Sequence, residues 1–201
     1  MQLRNSNLFK NFHCSIHSLL YRTGLLYLVF FSTLVILTPS AQAKEHSIEH
    51  KIKAAYLYNF SKFTDWPEEI AFAEQKSFSI CILGEDPFGS VITPIENKKA
   101  HKLPIKLQYF SQIDTNVDQC KIVFIAETDA DDVQSILLAL SDTNILTVGE
   151  SSNFATIGGM IGFVIQNGRV QFQINKQAAK KAQLKFDPRL LKLGLVVRTK
   201  Q

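Results

Sequence analysis

The chain has 201 residues, 46% of them hydrophobic and 20% charged, with nine glycines and six prolines. That balance excludes a disordered chain, a collagen-like repeat and a polytopic membrane protein, and the length bounds the chain at one or two domains. The formal charge is +4, but residues 1–43 contain Arg4, Lys10 and Arg22 and no acidic group; removing those three leaves 19 Lys and Arg against 18 Asp and Glu, a near-neutral body without the footprint of a nucleic-acid binder.

The first element is a leader. A basic segment ends at Arg22, an apolar run of 14 residues follows from Gly24 to Leu37, Pro39 breaks it, and Ala41-Gln-Ala43 supplies the small residues of a cleavage site. Fourteen residues fall short of the roughly 20 that span a bilayer as a helix. Residues 1–43 are therefore expected to be a signal peptide and 44–201 one exported domain, with an uncleaved anchor as the competing reading. Past the leader only Cys81 and Cys120 remain, 39 residues apart. An exported chain favours a bridge between them; two separate buried thiols are the alternative.

Beyond Lys44, apolar residues at Ile48, Ile52, Ala55, Tyr56, Phe60 and Phe63 trace one helical stripe. Ser47 caps its start and Trp66-Pro67 ends it, because the residue before proline is pushed out of the α region. Phe78–Leu83 reads as a buried strand, and Gly84-Glu-Asp-Pro-Phe-Gly89 as a turn. A short helix is expected near Ser90–Asn97 and a strand over Ile105–Phe110. Lys121–Ala126 is apolar on both faces, as a central parallel strand should be. Asp129, Asp131 and Asp132 open a helix carrying Val133, Ile136, Leu137 and Leu140, and Ile145–Val148 is another strand. Met160–Gln166 and Arg169–Ile174 are separated only by Asn167-Gly168, a two-residue hairpin signal. Lys176–Gln183 reads as helical, and Asp187-Pro188 opens a last helix with Leu190, Leu191 and Leu193 as apolar contacts. This order describes a single layered α/β domain, a mostly parallel sheet flanked by helices with a C-terminal antiparallel hairpin.

Catalytic chemistry is sparse. His46 and His50 share a helical spacing that suits a metal ligand pair, but they lie at the frayed start of the exported segment and read as solvated. His101 sits among lysines and reads as an exposed loop residue. No Gly-x-Ser-x-Gly elbow occurs, and Gly84…Gly89 and Gly158-Gly159 lack the spacing of a phosphate-binding loop. The aspartate cluster is explained by helix capping rather than by a cation. Two features stand apart. Tyr58 lies off the helical stripe and, with Trp66, is a candidate to line a ligand pocket or a partner surface, against plain core packing. Leu190–Val197, expected as an apolar C-terminal helix, closes the core or docks on another chain.

Several blocks of the chain together resemble the YfiR family: Lys53-Ala-Ala-Tyr-Leu-Tyr-Asn-Phe-Ser-Lys-Phe-Thr-Asp-Trp-Pro67, Cys81-Ile-Leu-Gly-Glu-Asp-Pro-Phe-Gly89, Cys120–Ile125, Ile145-Leu-Thr-Val-Gly149, Phe154-Ala-Thr-Ile-Gly-Gly-Met-Ile161, Arg169–Asn175 and Leu190–Leu193. The resemblance implies a periplasmic α/β homodimer that acts by binding, without enzymatic activity or cofactor. It implies restraint of an inner-membrane diguanylate cyclase through its periplasmic region, and so control of cyclic-di-GMP and biofilm formation. Cys81 and Cys120 match one bridge of the family. A second, closer-spaced bridge has no cysteines here, and Asp187-Pro188 replaces the paired serines expected before the Leu-Leu step. The alternatives are a free-standing periplasmic small-ligand binder with its pocket around Tyr58 and Trp66, and a partner of a membrane sensor kinase; a hydrolase with a dispersed site ranks behind both.

Overall fold

A computed structural model of the chain describes residues 41–67, 75–113, 115–126 and 130–199, with the side chains of 41–47, 115, 130 and 131 outside the description. The expected leader, its cleavage site, His46 and Asp129 lie outside the described residues or side chains, as does the Asp131 side chain. Glu45–Gln201 forms one compact unit.

Helix α1 (Ala41–Phe63) runs into a two-residue strand, β1 (Thr64–Asp65). Its buried face is not the expected stripe. Lys53, Ala54, Leu57, Phe60 and Ser61 point inward, whereas Ile48 and Ile52 are exposed and so is Ala55. At about 100° per residue this face is centred on Leu57, with Tyr56 and Tyr58 flanking it on either side. Two polar residues can face inward because each is satisfied there: Ser61 Oγ donates to the Tyr58 carbonyl at 2.7 Å, and Lys53 is held by carboxylates.

The main sheet is built from β2 (Phe78–Leu83), β3 (Lys99–Ala100), β4 (Leu103–Phe110), β5 (Ile122–Ile125), β6 (Leu146–Gly149), β7 (Ile161–Gln166), β8 (Arg169–Asn175) and β10 (Leu195–Val197). Its order is β10-β8-β7-β6-β5-β2-β4-β3. Strands β4, β2, β5, β6 and β7 are mutually parallel, and the hairpin β7–β8 is antiparallel. The hairpin turns on Asn167 (φ 51°) and Gly168 (φ 68°), the left-handed pair that matches strand twist. In place of the expected helix near Ser90–Asn97, two 3₁₀ turns occupy Gly89–Val91 and Thr93–Ile95; Pro94 in the second suits a short first turn.

Alternation along each central strand divides the interior into two cores. Phe78, Ile80 and Ile82 of β2, with Ile122 and Phe124 of β5, join Leu57 and Phe60 of α1 in the first. Phe60 meets Phe172 edge-on at 5.1 Å and Phe163 at 5.8 Å, and Tyr56 meets Phe172 at 5.0 Å, so the aromatic surplus of α1 is absorbed by the hairpin. Cys81 and Leu83 of β2, with Val123 and Ile125 of β5, face the second core. Helix α2 (Ala130–Ala139) and the 3₁₀ turn Thr115–Gln119 contribute Val133 and Val117 to it.

The C-terminal segment differs from its expectation. Helix α3 (Lys176–Lys181) is capped by Asn175, whose side chain accepts from the Gln177 and Ala178 amides. Strand β9 (Lys185–Phe186) pairs with β1, and Asp187 caps helix α4 (Pro188–Leu193). The helix stops at Leu193 rather than continuing to Val197, and β10 then runs parallel to β8. The cause is Gly194: its backbone is extended, a Cβ there would come 2.6 Å from Phe172 and Ile174, and the β-branched Val196-Val197 that follows suits a strand. Leu190 is buried, but Leu193 is 71% exposed and makes no core contact of the kind expected for it.

Candidate functional site

Cys81 and Cys120 form a disulfide with Cα atoms 5.9 Å apart. Both residues are buried in the second core. Cys81 lies in the middle of β2, but Cys120 precedes β5, at the end of the 3₁₀ turn. The bridge therefore joins a strand to a turn and does not itself pin two strands in register. The ladder does that itself, pairing Ile80 with Ile122 and Cys81 with Val123. The bridge instead fastens the turn Thr115–Gln119 onto the neighbouring strand.

The two aromatic candidates have different surroundings. Trp66 is 6% exposed, its Nε1 donates to the Asn144 carbonyl at 2.8 Å, and its ring stands edge-on to Phe78 and His101. It packs in the first core with its indole N–H satisfied. Tyr58 is half-buried at the rim of the first core, with the Lys62 and Lys98 ammonium groups 5.4 and 4.9 Å from its ring centroid. Both are cation–π contacts at the exit of the helix. His101 is not the exposed loop residue expected: it is half-buried and stacks on Phe78 at 5.9 Å, which its flanking lysines concealed. His50 is half-buried and edge-on to Phe88. Among the described residues no group of three or more His, Cys, Asp or Glu is placed to hold a metal.

The glycines serve packing and turns. Gly84 (φ 96°) lets the chain leave the end of β2. Gly149 and Gly159 lie against the ring of Phe154, which is 1% exposed, and a Cβ on either would overlap it. This explains the spacing of Gly149, Phe154 and Gly159 across the β6–β7 connection.

Two buried polar devices escaped the sequence reading. Lys53 Nζ contacts Glu49 at 2.6 Å and Glu150 at 2.7 Å, tying α1 to the connection after β6. Burial opposes the Lys53 charge, but hydrogen bonds to Glu150 and Glu49, aided by their charge, outweigh it and raise the pKa above its usual 10.5. The i,i+4 spacing of Glu49 and Lys53 was a visible signal; Glu150 was not. Asn175 is fully buried, and while its oxygen caps α3 its amide donates to the Ala155 carbonyl and to Thr199 Oγ1. At the sheet edge, Leu193, Leu195 and Val196 leave apolar side chains exposed beside β10.

Among the described residues no helix is long and apolar enough to cross a membrane. Residues 50–194 match the YfiR/HmsC-like family. No curated protein matches the chain.

Proposed function

This chain belongs to the YfiR/HmsC-like family, and on that premise we propose that it is a periplasmic regulatory binding protein that restrains an inner-membrane diguanylate cyclase through the cyclase's periplasmic sensory region. The observation that carries the reading is the family match over residues 50–194, which takes in α1 from His50, the central parallel strands, the hairpin and α4. The leader pattern of residues 1–43 supports export, and the disulfide supports an oxidising compartment. The exposed apolar side chains at the β10 edge support contact with other proteins, a second copy of the chain included.

Regulation of this kind works by differential affinity: the protein lowers cyclase output only so far as it binds the inactive arrangement of the periplasmic region more tightly than the active one. The test is cellular cyclic-di-GMP in a deletion strain, with and without a plasmid copy carrying the leader. A rise on deletion, reversed by the exported copy and not by a copy lacking residues 1–43, is the expected result. Unchanged cyclic-di-GMP in cells that demonstrably express the protein would refute it.

A further inference from the structure

Charge is divided unevenly along the chain past the leader. Residues 44–150 hold ten Lys and Arg against seventeen Asp and Glu, a net −7, whereas residues 151–201 hold nine Lys and Arg against Asp187 alone, a net +8. Most of that basic stretch folds into one end of the main sheet, where β7, β8 and β10 are the last three strands in the order. Among the described residues, Arg189 is the one cation of this stretch in an ion pair, and its partner is Asp187. Lys185 lies opposite Asp65 in the two-stranded sheet. Lys176, Lys192 and Arg198 are exposed.

The two edges of the main sheet are built differently. At one edge β3 is two residues long, with Lys98, Lys99 and Lys102 exposed in and around it, charges that discourage a further strand. At the other, β10 is Leu195-Val196-Val197, without charge or proline. Leu195 is 40% and Val196 55% exposed, and Leu193 just before them is 71% exposed. Among the described residues β10 pairs with β8 alone, so its outer row of backbone groups is open to another strand. Cations stand at both of its ends. Lys192 is in the last turn of α4, and Val197 pairs with Asn175, so Arg198 and Lys176 leave the ladder at the same end.

An extended segment that adds to a free edge gains main-chain hydrogen bonds along it and specificity from its side chains. Carboxylates on either side of an apolar centre complement the order Lys192, Leu195-Val196-Val197, Arg198. A second copy pairing two-fold through Val196 would bring the cations of one β10 edge toward those of the other, and like charges across a strand pair oppose it. An anionic lipid surface would match the charge, but its acyl interior has nothing to pair the amides and carbonyls of the edge. We propose that the β10 edge is a docking site for an extended acidic segment of another protein, added as a further strand with its apolar centre on Leu195 and Val196 and its carboxylates at Lys192 and Arg198. The proposal states the chemistry of a partner and does not rest on that partner being a cyclase.

The test is amide NMR and hydrogen exchange on the purified protein with three synthetic peptides, capped at both ends: Glu-Asp-Val-Thr-Val-Asp-Glu, its Gln/Asn counterpart, and Lys-Arg-Val-Thr-Val-Arg-Lys. The acidic peptide is expected to bind saturably, to shift the amides of β10 and its neighbour β8, and to slow exchange in β10. The basic peptide should bind at least about tenfold more weakly. Lys192→Glu combined with Arg198→Glu should reverse that preference, and Val196→Ser, which keeps every charge, should weaken the acidic peptide about threefold. No saturable binding of any peptide, equal binding of the acidic and basic ones, shifts centred away from β10, or acidic binding unchanged by the charge reversal would overturn the proposal. So would phosphatidylglycerol vesicles that shift β10 where the peptides do not, since the edge would then belong to a membrane surface. The three-peptide comparison on the unaltered protein decides the charge preference even if a variant unfolds. Because binding is read on the isolated protein, a negative result here leaves the regulator reading intact, and a negative cyclic-di-GMP result leaves this one intact.

Discussion

Opening the Cys81–Cys120 bridge should destabilise the folded domain chiefly through its unfolded state. The two sulfurs are fully buried, and as thiols they would still fill the second core as small apolar groups. The β2–β5 ladder does not depend on the bridge for its register, so few native contacts are lost. What disappears is the constraint on the unfolded chain, a closed loop set by the 39-residue separation. The chain-entropy model gives about 4 kcal/mol for a loop of that length. At about 2–4 °C per kcal/mol for a domain of this size, the midpoint of thermal unfolding should fall by roughly 8–16 °C. Because the buried bridge resists reduction in the folded state, the protein should be reduced in denaturant and refolded in a phosphine reductant, then compared with the oxidised protein by urea unfolding. The reduced protein should also show a steeper denaturant dependence, since its unfolded chain is more expanded. A loss below about 1 kcal/mol with no change in slope would refute the reasoning, because it would mean that the unfolded chain is already compact around these residues. A larger loss confined to Cys81→Ser, absent on reduction, would identify a packing effect instead.

Three further outcomes follow from the same structure. Gly149→Ala drives a methyl into the Phe154 ring and should cost about 1–3 kcal/mol; in a Phe154→Leu background the same change should cost clearly less, measured as a double-mutant cycle in urea. Lys53→Met leaves Glu150 buried without its cation and should cost about 3 kcal/mol, of which adding Glu150→Gln should return about 1–2 kcal/mol; additive losses would show that the two side chains do not interact. Asp187, hydrogen-bonded by the Arg189 side chain and backbone amide, is held at about 2, below its ordinary 3.8. Its contribution to folding is therefore present above pH 3.8 and lost as pH falls through 2, and carbon NMR should find its carboxyl titrating near 2, moving back toward 3.8 in Arg189→Ala.

Much of the fold was legible because the relevant signals are local. The apolar run at Phe78–Leu83, broken only by Ser79, and the unbroken one at Ile122–Ile125 announce strands buried on both faces, and Asn167-Gly168 announces a hairpin in two residues. The helix at the start was legible as a helix but not in its orientation. Ile48, Ile52 and Ala55 look inward by hydropathy, and Lys53 and Ser61 look outward, yet the reverse holds because Glu150 and the Tyr58 carbonyl satisfy the buried polar groups. A partner 97 residues away cannot be seen in a window of one helix. The surroundings of Trp66 were hidden for the same reason: the Asn144 carbonyl that takes its indole N–H lies 78 residues on.

The boundary of the last helix shows the limit from the other side. Leu190–Val197 carries an apolar pattern that fits a helix or a strand, and what divides it at Gly194 is the crowding of that backbone against Phe172 and Ile174 of β8. The residues alone determined the α/β class, the parallel core, the hairpin and the family, since periodicity, turn chemistry and motif are written in neighbouring positions. The tertiary structure alone decided the place of β2 between β4 and β5. Strand order is set by which long-range pairings bury both faces of the central strands at once, and no stretch of the chain carries that choice by itself.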